Sequence, residues 1–291
     1  MEIKTFHIPY LGQFVDTYLL QTEHYNIFVD TGLKSGEDAL RPYLSDGRQS
    51  IVLLTHGHWD HIGGNALVKS LGGQVWASEL DLPWLTDFDL HWQIGFGQFQ
   101  NDVTVPPERW DTFWSEVGEV VEIDRYLKDG DVLTFDGLTI QVMGLPGHSK
   151  GCLGYYVESL DVLFTGDALM HTGFFGGLAQ YYCYEDYCKS MEKIVALKPQ
   201  TVYTAHTLPY FDGTAAQAAQ EAIEFAGKIK CDVQEYAAQA KTIALSEAVQ
   251  YVCQKEGKKI GCGACICVLN HLTSIPEAAA QLDLGKYLCG I

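Results

Sequence analysis

The chain has 291 residues and a formal net charge of −18 at pH 7, with 37 acidic and 19 basic side chains. A surface this acidic repels phosphate backbones, so we expect a small-molecule substrate and no nucleic-acid partner. No stretch has the length and apolarity of a membrane span, so we expect no membrane partner either. The nine cysteines are scattered and the first residues lack the layout of a signal peptide, which favours a reducing cytoplasm.

The first informative element is an apolar run at residues 51–54, which is typical of a buried strand. It leads directly into residues 55–61, with the sequence Thr-His-Gly-His-Trp-Asp-His. His56 and His58 are two residues apart, so in an extended segment they point to the same side. Asp60 and His61 follow after the chain has begun to turn. Imidazole and carboxylate groups are common metal ligands, and this spacing predicts two divalent metals held side by side.

A helix is predicted over residues 65–71, ended by Gly72 and Gly73, and a strand over residues 74–77. The regular pattern then breaks in an aromatic-rich insertion at residues 83–125. We expect some of its rings to lie in the core and at least one or two to line a substrate pocket near the metals. The aromatic residues of this insertion are Trp84, Phe88, Trp92, Phe96, Phe99, Trp110, Phe113 and Trp114.

Three further candidate ligands each follow a strand-like run. His148 comes after residues 139–143, Asp167 after residues 162–164, and His206 after residues 201–203. If the strand ends meet at one edge, these residues converge with the four of the first motif. The remaining histidines, His7, His24, His91, His171 and His271, are interpreted as surface or core residues.

Residues 173–177 (Gly-Phe-Phe-Gly-Gly) are a second candidate pocket wall. The tyrosines that follow offer a hydroxyl that could polarise a substrate carbonyl or protonate a leaving group, although packing roles are expected for most of them. The sequence does not select one among Tyr181, Tyr182, Tyr184 and Tyr187.

The motif at residues 55–61, the ordered His148, Asp167 and His206, and the segment Asn-Ile-Phe-Val-Asp-Thr-Gly at residues 26–32 together resemble the metallo-β-lactamase-fold hydrolases, which include glyoxalase II. The resemblance implies an α/β fold, a four-layer αββα sandwich, with a catalytic domain at residues 1–210. It also implies that Asp60 and Asp167 are catalytic and that Asp167 bridges the metals together with a water or hydroxide. The implied ligands are His56, His58 and His148 for the first metal, and Asp60, His61 and His206 for the second.

Residues 211–291 are predicted to form a C-terminal helical extension, with helices over residues 213–239 and 241–256 and a helix start at residues 274–277. Glyoxalase II has a similar layout. Cys262, Cys265 and Cys267 lie close together and could hold a structural metal with Cys253 or Cys289, but buried thiols commonly act as small apolar residues. The role of these cysteines stays open.

The leading hypothesis is a dinuclear metal-dependent hydrolase that attacks a small ester, thioester or lactone through a metal-bound hydroxide. Zinc suits the ligands best, and manganese or iron fits the same set. The alternatives are an iron-dependent oxidoreductase of the same fold, similar to persulfide dioxygenases, a phosphodiesterase, or a binding module without turnover. The oligomeric state is open, and a homodimer is compatible with the sequence.

Overall fold

The computed structural model describes residues 2–170, 173 and 176–287. These residues form two β-sheets, one of six strands in the order β1-β2-β3-β4-β5-β6 and one of five in the order β11-β10-β9-β8-β7. The strands of the first sheet are β1 Ile3–Tyr10, β2 Gln13–Gln21, β3 Tyr25–Val29, β4 Gln49–Leu53, β5 Gln74–Ser78 and β6 Arg125–Leu127. Those of the second are β7 Val132–Phe135, β8 Leu138–Gly144, β9 Leu153–Val157, β10 Val162–Gly166 and β11 Thr201–Thr204.

Helices cover the outer faces of both sheets. The short helices α1 to α6 belong to the first half of the chain, and α7 to α11 to the second. Their bounds are α1 Glu37–Leu44, α2 Trp59–Ile62, α3 Asn65–Ser70, α4 Leu82–Thr86, α5 Phe88–Gly95, α6 Pro107–Glu116, α7 Tyr184–Leu197, α8 Thr214–Gln239, α9 Leu245–Glu256, α10 Cys262–Thr273 and α11 Pro276–Ala279. No helix in the described ranges combines the length and apolarity needed to cross a bilayer.

Three hydrophobic clusters divide the molecule into four layers. The central cluster joins residues of both sheets, such as Ile27 and Leu53 of the first and Ile140 and Phe164 of the second. A second cluster lies between the first sheet and the helices α1 to α6, and a third lies between the second sheet and the helices α7 to α11. The predicted four-layer αββα sandwich is therefore confirmed, and so is the presence of helices after residue 211.

Sequence patterns explain why these segments pair as they do. In β8 the buried positions Leu138, Ile140 and Val142 alternate with more exposed ones, which is the pattern of a sheet with one face in the core. In β4 every residue after Gln49 is buried, as expected for a central strand covered on both faces. β4 runs parallel to β3, so the loops that follow these two strands leave the sheet at the same edge.

The C-terminal helices pack on the second sheet through α7. The buried face of α8 carries the small residues Ala215, Ala219, Ala222 and Ala226, which allow neighbouring helices to approach closely. The helices α9 and α10 pack on α8 and complete the same hydrophobic cluster. The division into a domain at residues 1–210 and an extension at 211–291 stays a prediction.

Candidate metal centre

The seven predicted site residues meet at the edge where the two sheets are joined by backbone hydrogen bonds. The Leu153 N–H group donates to the Thr55 carbonyl oxygen at 2.8 Å, and the Asp16 N–H group donates to the Ala205 carbonyl oxygen at 2.7 Å. The first bond fixes the loop after β4 against β9, and the second fixes the loop after β11 against β2. Strand ends from both sheets are thereby held at one place.

Ligating atoms of these residues form three groups in which all atoms lie within 4.8 Å of one another. We define the first group as His56, His58 and His148, and the second group as Asp60, His61 and His206. A third set combines His56 and His61 with Asp167, so it lies between the other two. The convergence predicted from the strand ends is therefore present in the structure.

The carboxylate of Asp167 faces both groups. Its Oδ2 atom lies 3.4 Å from His148 Nε2 and 4.0 Å from His56 Nε2. Its Oδ1 atom lies 3.3 Å from His206 Nε2 and 3.6 Å from His61 Nε2. One carboxylate oxygen of Asp167 thus faces each group, an arrangement that is compatible with a bridging ligand.

The donor set fits divalent cations. His56 Nε2 and His61 Nε2 are buried and make no hydrogen bond to another described residue. Leaving such an atom unsatisfied costs about 1–3 kcal/mol, and a bound cation removes that cost. Burial and the neighbouring imidazoles hold the pKa of His56 well below its usual range, so its ring is neutral and offers a lone pair.

Electrostatics differ between the two groups. Burial lowers the pKa of His58 and of His148 as well, so the first group consists of neutral imidazoles. Burial also opposes charge on His61, but the carboxylates of Asp167 and Asp30 outweigh it and raise its pKa. The negative charge of Asp167 and Asp30 therefore faces the second group, which itself contains the Asp60 carboxylate.

Residues outside the two groups hold the other ring nitrogens of the histidines. His61 Nδ1 donates to Asp30 Oδ2 at 2.8 Å, and His56 Nδ1 donates to Thr55 Oγ1 at 3.1 Å. The Thr55 hydroxyl in turn donates to Asp30 Oδ2 at 2.7 Å. Asp30 thus orients one histidine of each group, and this kind of support fixes the tautomer of a metal-binding imidazole.

Backbone carbonyls support two more ligands. His148 Nδ1 donates to the Gln180 carbonyl at 2.8 Å, and His206 Nδ1 donates to the Phe14 carbonyl at 2.6 Å. Both bonds span long stretches of sequence, so they depend on the completed fold. In each histidine the Nε2 atom faces the centre, where His148 Nε2 lies 2.8 Å from His58 Nδ1 and His206 Nε2 lies 3.3 Å from Asp167 Oδ1.

Asp81 ties the two ligand loops of the first group together. Its buried carboxylate accepts hydrogen bonds from the Gly57 N–H group at 2.9 Å, the Gly151 N–H group at 2.8 Å and the Ser149 hydroxyl at 2.8 Å. Burial raises the pKa of Asp81 to about 6, while these bonds oppose the rise. Glycine is required at position 57, because a Cβ atom there would lie 2.7 Å from Trp84 Cβ.

A pocket of about 360 Å³ opens directly onto the centre, where it is lined by His58, Asp60 and Asp167. Its apolar walls include Trp59, Trp84 and Phe96, and Tyr182 also lines it. The expectation that one or two rings of the insertion line the site therefore agrees with the structure. Trp92 and Trp110 instead border a separate outer groove, because Trp92 turns into the core and Trp110 is 46% exposed.

The residues that line this pocket can be compared with three interpretations made from the sequence. Tyr182 is the tyrosine at the site, whereas Tyr181 and Tyr187 are buried in the hydrophobic cluster beside α7. His91, interpreted from sequence as a surface or core residue, is buried but lines the pocket, with its ring centroid 5.8 Å from that of His58. Of the second candidate wall, Gly177 lines the pocket, while Phe174 and Phe175 lie outside the described residues, as does His171.

Sequence reasoning missed Tyr10, Asp81 and the role of His91. The Tyr10 hydroxyl donates to Asp60 Oδ2 at 2.8 Å from a strand fifty residues away. No local sequence motif marks these three residues. Among the residues that support the ligands, only Asp30 was indicated by the sequence, because it lies in the segment at residues 26–32.

The cysteines of α10 do not contribute to this centre. Within the described part of the chain, no cluster of three candidate ligating atoms includes Cys262, Cys265 or Cys267. Cys253, Cys265 and Cys267 are buried, and Cys262 lines the pocket beside the candidate metal centre. Cys289 lies outside the described residues.

Comparisons of the sequence and of the structure with known proteins agree on one family. The model of the metallo-β-lactamase superfamily matches residues 11–206. A hydroxyacylglutathione hydrolase, GloC, of Haemophilus influenzae is 30% identical over 124 residues, which cover 42% of this chain and 51% of that protein, so the chain aligns with about half of that relative.

Two solved structures show the same fold. A metallo-beta-lactamase family protein of Thermus thermophilus has a TM-score of 0.75 and 23% identity, covering 96% of this chain and 94% of its own. A protein named TTHA1623, solved in a di-iron-bound form, has a TM-score of 0.51 and 24% identity, covering 73% of this chain and 98% of its own. The first of these likenesses extends through the C-terminal helices.

Asp30→Asn should weaken the binding of divalent metal by about 10- to 100-fold, because the side chain loses the negative charge that orients His61. Asn tolerates the left-handed backbone found at Asp30 (φ 61°), so the substitution leaves the turn intact. Metal titration followed by elemental analysis measures the effect. Asp124→Asn is the control, because Asp124 also accepts hydrogen bonds from a backbone N–H group and from a charged side chain, that of Lys69, but lies away from the centre. Equal metal affinity in both variants would show that Asp30 does not support the site.

Proposed function

The chain belongs to the metallo-β-lactamase superfamily, and we propose that it is a dinuclear metal-dependent hydrolase of a small ester, thioester or lactone. Members of this superfamily are mostly metal-dependent hydrolases. The observation that carries the dinuclear part is the Asp167 carboxylate, which presents one oxygen to each of two groups of three ligands. In this proposal the first group holds one cation, the second group holds the other, and Asp167 bridges them.

Zinc is the metal we propose first, because imidazole and carboxylate donors suit it, and manganese or iron fits the same donors. The di-iron form of the structurally similar TTHA1623 keeps iron among the candidates. When bound, two such cations supply Lewis acidity, which lowers the pKa of coordinated water and polarises a carbonyl oxygen.

In the proposed reaction, residues of the protein itself position the substrate and accept the released proton. Tyr10 donates a hydrogen bond of 2.8 Å to Asp60 Oδ2, and Asp60 Oδ1 lies 4.0 Å from His61 Nε2. In the proposed reaction the Asp60 oxygen that does not bind the cation accepts the proton released by the attacking water. The apolar pocket places the substrate beside Asp60 and Asp167 and limits the access of bulk water.

The pocket also favours an acyl substrate over a nucleic acid. Its walls are aromatic and its volume suits a molecule of modest size. A polyanion would approach against a net charge of −18, whereas a small carbonyl compound would not meet that barrier. The hydroxyacylglutathione hydrolase among the relatives acts on an acyl compound, as its name states, which supports the same class. A cytoplasmic location stays part of this proposal.

Protein loaded with excess metal and separated from free ions should contain close to two metal equivalents by elemental analysis. Asp167→Asn should lower metal content and reduce turnover at least about 100-fold, since the bridging charge is lost while the side-chain volume is kept. Circular dichroism should show unchanged secondary structure, because Asp167 lies at the end of β10 and not within the sandwich core. Asp124→Asn is again the control. A wild-type metal content that stays at one equivalent or below, or turnover by Asp167→Asn equal to that of the control, would contradict the bridge.

Metal-loaded protein should cleave aryl esters, thioesters or lactones faster than bis(para-nitrophenyl) phosphate, RNA or DNA. The comparison uses one preparation of measured metal content, so that differences report the substrate alone. His61→Ala should abolish the acyl cleavage, and His24→Ala should not, because His24 is exposed and pairs with Asp136 on the surface. Degradation of RNA or DNA that disappears in His61→Ala and is unmatched by any acyl substrate would replace the acyl hydrolase with a phosphodiesterase.

Phe96→Ala should raise KM for apolar acyl substrates about three- to tenfold, because a pocket wall worth roughly 1 kcal/mol of apolar contact is removed. Metal content should not change, since Phe96 contacts no candidate ligand. Trp110→Ala removes a larger ring that borders only the outer groove, so KM should stay at the wild-type value. The reverse result, with Trp110→Ala altering KM and Phe96→Ala silent, would place the substrate in the outer groove.

A further inference from the structure

Two cationic side chains lie at the pocket although the chain is strongly acidic. Arg109, on α6, and Lys259, just before α10, both line it. The Arg109 guanidinium lies 5.6 Å from the centroid of the Phe96 ring. Burial raises the pKa of the Cys262 thiol to about 11 and the Arg109 charge opposes that rise, so the guanidinium acts across the pocket on the wall formed by α10.

The N-terminus of α10 forms that wall. Residues 261–264 all line the pocket, and the first backbone bond of the helix runs from the Cys265 N–H group to the Gly261 carbonyl at 3.1 Å. The N–H groups of Cys262, Gly263 and Ala264 therefore precede the helical hydrogen-bond ladder. Gly261 supplies no side-chain cap, and the first turn contains no acidic residue. A helix of twelve residues with this end favours a negative charge beside it.

Buried polar atoms of the pocket give independent evidence of a ligand. Trp84 is only 1% exposed, and its Nε1 atom makes no hydrogen bond to another described residue. The buried Tyr182 hydroxyl likewise has no such partner among the described residues. Both side chains line the pocket, and their ring centroids lie 4.6 Å and 6.3 Å from that of His58. Donors of this kind are normally satisfied, so a polar group of a bound molecule would complete them.

We propose that the pocket binds an acyl substrate whose acyl chain ends in an anionic group, a carboxylate or a phosphate. The scissile carbonyl lies at the metal centre beside Asp60 and Asp167. The chain packs against Phe96, and the anion lies between Arg109, Lys259 and the N-terminus of α10, where its oxygens accept from the Trp84 and Tyr182 donors. This inference rests on the proposed hydrolase function and adds the substrate class to it.

The test compares three para-nitrophenyl esters of equal chain length in one metal-loaded preparation. One is the monoester of adipic acid, the second carries a phosphonate in place of the free carboxylate, and the third carries a neutral isopropyl group there. The wild type should have a lower KM for at least one anionic ester than for the neutral one, and the better of the two anionic esters identifies the source of the charge.

Arg109→Gln and Lys259→Gln should each raise KM for the preferred anionic ester on the order of tenfold, the loss expected for a charge-assisted hydrogen bond. KM for the neutral ester, kcat and metal content should stay close to wild type, because neither side chain is a candidate ligand. Lys258→Gln is the matched control. It removes the same charge from the neighbouring residue, whose ammonium group lies 5.1 Å from the Phe225 ring centroid and outside the pocket.

A binding measurement separates failure of this inference from failure of the hydrolase proposal. The para-nitroanilide of adipic acid resists cleavage, and its binding should change the fluorescence of Trp59 and Trp84, which line the pocket. Binding that weakens about tenfold in Arg109→Gln without turnover of any ester would support the anion site and contradict the hydrolase. Turnover of all three esters with equal KM, unaffected by either variant, would overturn the anion site and leave the hydrolase intact. Absence of both binding and turnover would overturn both.

Discussion

The carboxylate of Asp30 accepts hydrogen bonds from the Thr55 N–H group, the Thr55 hydroxyl and the His61 ring, and the geometry of the whole centre depends on these bonds. Through Thr55 the same carboxylate also orients His56. One histidine of each group is therefore set by a single buried anion at the end of β3. This arrangement keeps the imidazoles neutral or charge-balanced in a dry environment, where an uncompensated charge would cost several kcal/mol.

Asp81 plays the corresponding part for the loops of the first group. It joins the backbone around Gly57 to the loop of Ser149 and Gly151, so His58 and His148 approach each other although they are ninety residues apart. Rigid support of this kind places ligand atoms before a cation arrives. Because the ligands sit on strand ends and not on long loops, little conformational entropy remains to be lost on binding.

The pocket walls are structurally separate from the candidate metal centre. The candidate ligands follow strand ends of the sandwich, whereas much of the pocket wall comes from the insertion at residues 83–125 and from the beginning of α10. In the proposed hydrolase, exchange of those walls would change the substrate without altering the candidate metal ligands, which fits a fold that hosts many reactions. The overall charge and the local charge also act over different ranges. At physiological ionic strength the field of distant surface charges is screened within about 8 Å, so the potential inside the pocket is set by the charges that line it, which are Arg109 and Lys259 as well as Asp60 and Asp167.

Residues close together in sequence, such as His56, His58, Asp60 and His61, were predictable because strand-end spacing fixes their relative directions. The convergence of His148, Asp167 and His206 was predictable because each of them follows a strand. The helices after residue 211 were predictable from their apolar periodicity. The sequence alone did not separate Trp84 and Phe96, which line the pocket, from Trp92 and Trp110, which do not. All four lie in one aromatic-rich segment, and only the packing of short helices against the sandwich decides which face each ring meets. Tyr10, Asp81 and His91 were decided by tertiary structure as well, because their partners lie on other elements and no local pattern records contacts that form only when distant strands and helices pack together.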